Sequence, residues 1–385
     1  MDRKYLNVRI GITGWRIRCP SHMKRELSMS VFSHKEFDQH EQVSFFHDAQ
    51  SGLKAIISVH NTNLGPALGG CRMWAYESDE AAIKDVLRLS RGMTYKAAIT
   101  GLPLGGGKSV IIGDKKTKTA DMMRAMGRAV ENMGGRYIVA EDVGTTVEDM
   151  SHINSQTKHV VGISHGTAGS GDPSPTTALG VFTGLKAAVR FRMGRGDLKG
   201  LKVAVQGLGN VGYNLCRHLH EAGAQLFVTD MAADRVDMAS REFGAMPVAL
   251  NSIYDVDADV FAPCALGGII NDETLPRIKA KVVAGAANNQ LAEARHGDAL
   301  RRAEILYAPD YLVNAGGLIA VYFEHVARQT GKAFDAKAVA DMVAKIDATA
   351  TSIFEMADKE DISCGTAADR IAESRFCVKK ACKAA

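Results

Sequence analysis

The stretch LKVAVQGLGNVGYNLCRHLHEAGAQLFVTD, residues 201 to 230, decides the fold. LKVAVQ reads as a strand, Gly207-Leu208-Gly209-Asn210-Val211-Gly212 follows at once, a helical pattern runs to Ala222, and Gln225 to Thr229 returns as a strand ending in Asp230. A G-x-G-x-x-G string alone says little, but between a strand and a helix each glycine has a task. Gly207 makes the tight turn, Gly209 lets a pyrophosphate touch backbone, and Gly212 allows close helix packing. The helix N-terminus, with its partial positive charge, faces the phosphates. Asp230 lies eighteen residues beyond Gly212, near the spacing of the acid that binds ribose hydroxyls. An acid there repels a 2′-phosphate, and Met231-Ala232-Ala233 supply no arginine to receive one. The expected cofactor is NAD rather than NADP.

Downstream, Val260-Phe261 and Val282-Val283-Ala284 read as further strands of the same sheet. They end in Pro263-Cys264-Ala265 and Asn288-Asn289-Gln290, which places Cys264, Ala265 and Asn288 on the nicotinamide side. No histidine or base motif accompanies Cys264, so it reads as a small packed thiol. Upstream, SHGTAGSGDPSP, residues 164 to 175, has no core-forming run and reads as a connection between two units, with a long helix from Thr176 to about Arg192 opening the second.

The first unit carries MTYKAAITGLPLGGGKSVIIG, residues 93 to 113. Ser78-Asp79 signals a helix start, and Ile83, Val86, Leu87 and Ser90 keep helical spacing until Gly92, where the helix is expected to stop. Lys96 follows that stop. Gly105-Gly106-Gly107 is expected to form a loop that reaches positive φ and approaches a ligand, delivering Lys108 to the mouth of a strand at Val110 to Ile112. A lysine placed there is costly without a partner or a task. LGGGKS also resembles the end of a phosphate-binding P-loop, but that pattern needs a glycine at position 102, which is Leu102. Tyr137 to Ala140 reads as a strand with Glu141-Asp142 just past its end, and Thr146 with Asp149 forms a capping pair. In open α/β sheets the binding crevice lies outside the carboxyl ends of strands, so Asp142 stands where a functional carboxylate is expected.

The expected architecture is α/β in two domains, with the active site in the cleft between them. The first spans 29 to 165 and is completed by C-terminal helices from about 345 to 376; the Rossmann-type NAD-binding domain spans 176 to 344. Residues 1 to 28 are Arg-rich without an amphipathic period, and they read as an unstructured extension or a misplaced start. The chain holds 47 Lys/Arg and 43 Asp/Glu; seven and two of these lie in residues 1 to 28, leaving 40 against 41. So balanced a body indicates no nucleic-acid surface. No apolar run is long enough for a membrane span. Seven scattered cysteines without a C-x-x-C pair argue against disulfides or a zinc site and for a reducing cytoplasm, and the histidines form no metal motif.

GPALGGCR (65–72), MTYK (93–96), LGGGK (104–108), AEDVGTT (140–146), APCALG (262–267), GAANNQL (285–291) and APDYLVNAGG (308–317), with the fingerprint at 207–212, resemble the Glu/Leu/Phe/Val amino-acid dehydrogenase family, and within it the leucine dehydrogenase branch. The resemblance covers about Met29 to Phe376. It implies reversible NAD-dependent oxidative deamination of an L-amino acid to a 2-oxo acid and ammonia by a homo-oligomer, from dimer to octamer. It implies that Lys96 holds the substrate carboxylate near Gly69, that Lys108 is the base that activates water, and that Asp142 handles protons on nitrogen. Asn288 is implied near the substrate, and Leu68, Ala140, Leu318 and Val321 in the side-chain pocket. Ala140, where aromatic-specific members tend to have glycine, favours leucine, valine or isoleucine. Leu318 and the GGLIAVY context lean toward phenylalanine or tryptophan, which stays an alternative. A non-catalytic NAD-binding relative would be expected to lack Lys96, Lys108 or Asp142; all three are present.

Overall fold

A computed structural model describes residues 30–163 and 169–377. The extension at 1 to 28 and part of the connection at 164 to 175 fall outside the described residues. Two sheets organise the chain. The first has five strands in the order β1-β2-β4-β3-β5: β1 Gln42–Asp48, β2 Leu53–Asn61, β3 Ala67–Trp74, β4 Gly105–Ile112 and β5 Tyr137–Glu141. β3, β4 and β5 run parallel, while β1 and β2 run antiparallel to their neighbours. Its helices are α1 Asp79–Thr100, α2 Ala120–Glu131 and α3 Val147–Asn154.

The second sheet is parallel throughout, in the order β11-β10-β9-β6-β7-β8. Its strands are β6 Lys202–Gln206, β7 Gln225–Thr229, β8 Met246–Pro247, β9 Val260–Pro263, β10 Val282–Val283 and β11 Leu306–Tyr307. Helices α4 Ser174–Met193, α5 Asn210–Glu221, α6 Ala233–Phe243, α7 Arg295–Arg302, α8 Asp310–Val313 and α9 Gly316–Thr330 accompany it. The last two helices divide between the units. α10 Ala336–Glu360 lies along α4 and α9, while α11 Cys364–Phe376 lies on α1, where Phe376 meets Tyr95 edge to face. Among the described residues no helix is long and apolar enough to cross a membrane.

Three local expectations are corrected. α1 does not stop at Gly92 but runs on to Thr100, where Gly101 at φ 73° closes it. Burial of Tyr95, Ala97, Ala98 and Ile99 outweighs the propensity penalty of one internal glycine, about 1 kcal/mol. Lys96 therefore sits on a rigid helix. Gly105-Gly106-Gly107 is not a loop; it begins strand β4. The glycines serve packing, since a Cβ on Gly106 would lie 2.1 Å from the backbone nitrogen of Thr94 in α1. Finally, α4 starts at Ser174, so Pro175 belongs to its first turn, where a missing N–H leaves no helical bond unmade.

Candidate functional site

The order β4-β3-β5 explains how a lysine and an aspartate meet. Lys108 projects from β4 and Asp142 follows β5, so β3 lies between them, and on β3 the intervening residue is Gly70. A Cβ there would lie 2.7 Å from Asp142 Cβ and 3.1 Å from Lys108 Nζ. With no side chain in the way, Lys108 Nζ reaches Asp142 Oδ2 at 2.5 Å. Two residues along β3, on the same face, Arg72 brings its Nε to 3.3 Å from that oxygen and donates from Nη1 to Asp85 of α1. Burial pushes the Asp142 carboxyl up, but Lys108 and Arg72 together outweigh it and hold the pKa below the ordinary value. Asp142 thus stays ionised, its Oδ2 ion-paired between two cations. The turn behind it is fixed by Thr145, whose hydroxyl accepts from Asp142 N and donates to the Cys71 carbonyl.

Lys96 approaches from α1 and donates to Asn314 Oδ1 at 2.6 Å; Asn314 Nδ2 donates to Asn288 Oδ1 at 2.8 Å. This chain of amides joins the first unit to the second. Burial lowers the Lys96 ammonium to about 8; Asp310 acts to raise it and Lys108 to lower it further. Below pH 8 Lys96 carries the charge that attracts a carboxylate, and above pH 8 it loses that charge. Affinity for isocaproate, a branched carboxylate with no amino group to titrate, is accordingly expected to fall about tenfold per pH unit above 8, measured by calorimetry. A flat profile up to pH 10 would contradict the lowering of the Lys96 pKa by burial.

These groups line one cavity of about 570 Å³ between the two sheets. Lys96, Lys108, Asp142 and Asn288 are among its polar lining residues, and Leu68, Ala140, Leu318 and Val321 among its apolar ones. Gly69 is placed differently from the expectation. Its Cβ position points at the Gly107 carbonyl, 1.7 Å away, so it spaces β3 from β4, while its neighbour Gly70 lines the cavity. Arg72, Asn314 and Asp310 also line or support the site and escaped sequence reading. Arg72 had a signal in its place two residues after Gly70 on a strand; Asn314 had only its position in a quoted motif. Lys108 lies inside strand β4 rather than at the head of a helix, which removes the P-loop reading.

The second sheet presents the glycine turn. Gly207 is at φ 98°, and a Cβ on Gly212 would lie 2.0 Å from the Gly207 carbonyl. Gly209 caps α5 without a side chain, its Cβ position opens to free space, and the first N–H groups of α5, from Asn210 and Val211 onward, lack a side-chain cap. Leu208 N donates to Asp230 Oδ2 at 2.6 Å and Ala232 N to Oδ1 at 2.8 Å, so Asp230 is fixed at the end of β7. Ala265 abuts Gly207, and burial pushes the Cys264 thiol up to about 12, which fits a packed thiol. A turn open at Gly209 with uncapped amides fits a dinucleotide pyrophosphate.

Two family models cover most of the chain: "Glu/Leu/Phe/Val dehydrogenase, dimerisation domain" matches residues 40–159, and "Glutamate/Leucine/Phenylalanine/Valine dehydrogenase" matches residues 168–232 and 227–384. The chain is 53% identical to a leucine dehydrogenase of Bacillus subtilis over 90% of its own length and 94% of that protein. It is 50% identical to an L-tryptophan dehydrogenase of Nostoc punctiforme over 89% of its length and 95% of that protein. The crystal structure of L-tryptophan dehydrogenase from Nostoc punctiforme superposes with a TM-score of 0.78, covering 88% of this chain and 96% of that one at 48% identity. Motif order, two-sheet architecture and both family models agree: the chain belongs to the Glu/Leu/Phe/Val dehydrogenase family.

Proposed function

We propose that this chain catalyses the NAD-dependent reversible oxidative deamination of a branched-chain L-amino acid to its 2-oxo acid and ammonia, as a cytoplasmic homo-oligomer. The observation that carries the reading is the convergence, in one cavity, of a carboxylate-attracting lysine, a lysine–aspartate pair and an apolar wall. Lys96 receives the substrate carboxylate, and the Asn314–Asn288 amides fix its orientation. Leu68, Ala140, Leu318 and Val321 receive the side chain and exclude water from it. Asp142 takes a proton from the substrate ammonium, leaving the nitrogen lone pair free to expel hydride from Cα. When bound, NAD accepts that hydride. Water then adds to the imine carbon and passes a proton to Lys108; Asp142 returns its proton to the nitrogen, and as the C–N bond breaks and ammonia leaves, the carbinolamine hydroxyl gives its proton to water and C=O forms.

The NAD site would use the backbone of 207 to 212 for the pyrophosphate, Asp230 for the ribose and the turns at Cys264-Ala265 and Asn288 beside the nicotinamide. The negative charge of Asp230, held in place by two backbone donors, supports NAD over NADP. The dimerisation description of the model over residues 40–159 supports self-association.

The test is NADH formation from a panel of L-amino acids at alkaline pH. Leucine, valine and isoleucine are expected to be the best substrates. Activity confined to phenylalanine or tryptophan would favour the second reading, which the 50% identity to an L-tryptophan dehydrogenase supports. Activity with no amino acid would sink both.

A further inference from the structure

Glu324 of α9 is 1% exposed, and both its carboxylate oxygens are occupied by donors from a different part of the chain. Oε1 accepts from Gly162 N at 2.8 Å and Ile163 N at 3.1 Å. Oε2 accepts from Ser170 N at 3.1 Å and Ser170 Oγ at 2.6 Å. Gly162 and Ser170 both line the substrate cavity, and Val321 and Leu318, three and six residues before Glu324 on α9, line it too. One helix therefore supplies the apolar wall directly and a second wall at one remove, by gripping backbone.

The chemistry of the grip requires a carboxylate. Four donors converge on two oxygens, and only an ionised carboxyl is acceptor at both. A glutamine with its oxygen toward Gly162 and Ile163 would turn its NH₂ toward the Ser170 N–H and lose that bond, the Ser170 hydroxyl having to reverse and accept. Burying a charge in this way is costly unless its hydrogen bonds are complete, as they are here.

We propose that Glu324 is a positioning residue for the substrate cavity: it fixes Gly162 and Ser170 as walls against which the amino-acid side chain is held. This rests on the proposed function for its kinetic consequence, but not for the grip itself. In Glu324→Gln the KM for L-leucine is expected to rise about tenfold with kcat within about threefold, because substrate placement weakens while Lys108 and Asp142 are untouched. Amide hydrogen exchange of the full chain is expected to speed up at Gly162, Ile163 and Ser170. Ser170→Ala, which removes one donor and leaves the helix intact, is expected to raise KM about threefold and decides the matter if Glu324→Gln does not fold.

A fall in kcat at unchanged KM would mean only fewer folded molecules and would overturn the proposal. So would unchanged exchange at the three amides, or an unchanged KM in both variants. If the unaltered chain turns over no amino acid, the proposed function fails separately. The affinity of isocaproate in the unaltered and Glu324→Gln chains then replaces KM, and an equal affinity overturns the positioning role.

Discussion

Lys108→Ala is expected to lower kcat for L-leucine about a thousandfold or more while NADH affinity stays within about a factor of two. The large effect follows from where the lysine sits. It is 6% exposed, on a strand rather than a loop, with its ammonium against Asp142 and no second base of matching reach on β4. The small effect on NADH follows from the separate placement of the glycine turn on the other sheet. Lys108→Arg separates charge from proton transfer. It keeps the cation beside Asp142, but a guanidinium does not give up its proton, so it is expected to be as inactive as the alanine variant. Substantial activity in Lys108→Arg would reduce the lysine to a counter-charge.

The second large effect concerns stability. Gly106→Ala is expected to destabilise the first unit by about 3 kcal/mol, read from the urea midpoint, because the new methyl meets backbone on α1 rather than a movable side chain. Its Cβ would lie 2.1 Å from Thr94 N and 2.6 Å from the Ser90 carbonyl. Gly92→Ala provides the contrast. That glycine is inside the same helix with open space around its Cβ position, so alanine is expected to stabilise by about 0.5 to 1 kcal/mol through helix propensity. Two glycines fourteen residues apart thus carry effects of opposite sign. If both variants shift stability the same way, the packing explanation of the glycine run is wrong.

These two glycines also show what sequence could and could not disclose. The strand–turn–helix unit at 201 to 230 was legible because its determinants are local: a β-branched run, three glycines at fixed offsets and an acid at the end of the next strand. Asp142 was legible for the same reason, as the first acids past a short apolar strand. The glycine run before Lys108 was misread because the same composition serves a ligand loop or a tightly packed strand, and only the neighbouring helix decides between them. Gly92 was misread because its penalty is local while the burial that overrides it is tertiary.

The remaining site residues depend on contacts between distant positions. Lys96 and Asn314 are 218 residues apart in the chain, and no periodicity connects them. Gly70 matters because the sheet order puts β3 between β4 and β5, a fact of topology rather than of the GG dipeptide. Glu324 appears in sequence as one acid in a helical pattern, and only its four donors distinguish it.

In the proposed reaction Lys96, Lys108 and Asp142 arrange an amino acid so that its α-hydrogen leaves as hydride. This is tested most directly with L-leucine deuterated at Cα, incubated with the enzyme and NAD⁺. Deuterium is expected on the nicotinamide ring of the reduced cofactor, with 2-oxoisocaproate and ammonium formed in equal amounts to it. Deuterium released to water without reduced cofactor, or reduced cofactor without an oxo acid, would contradict it.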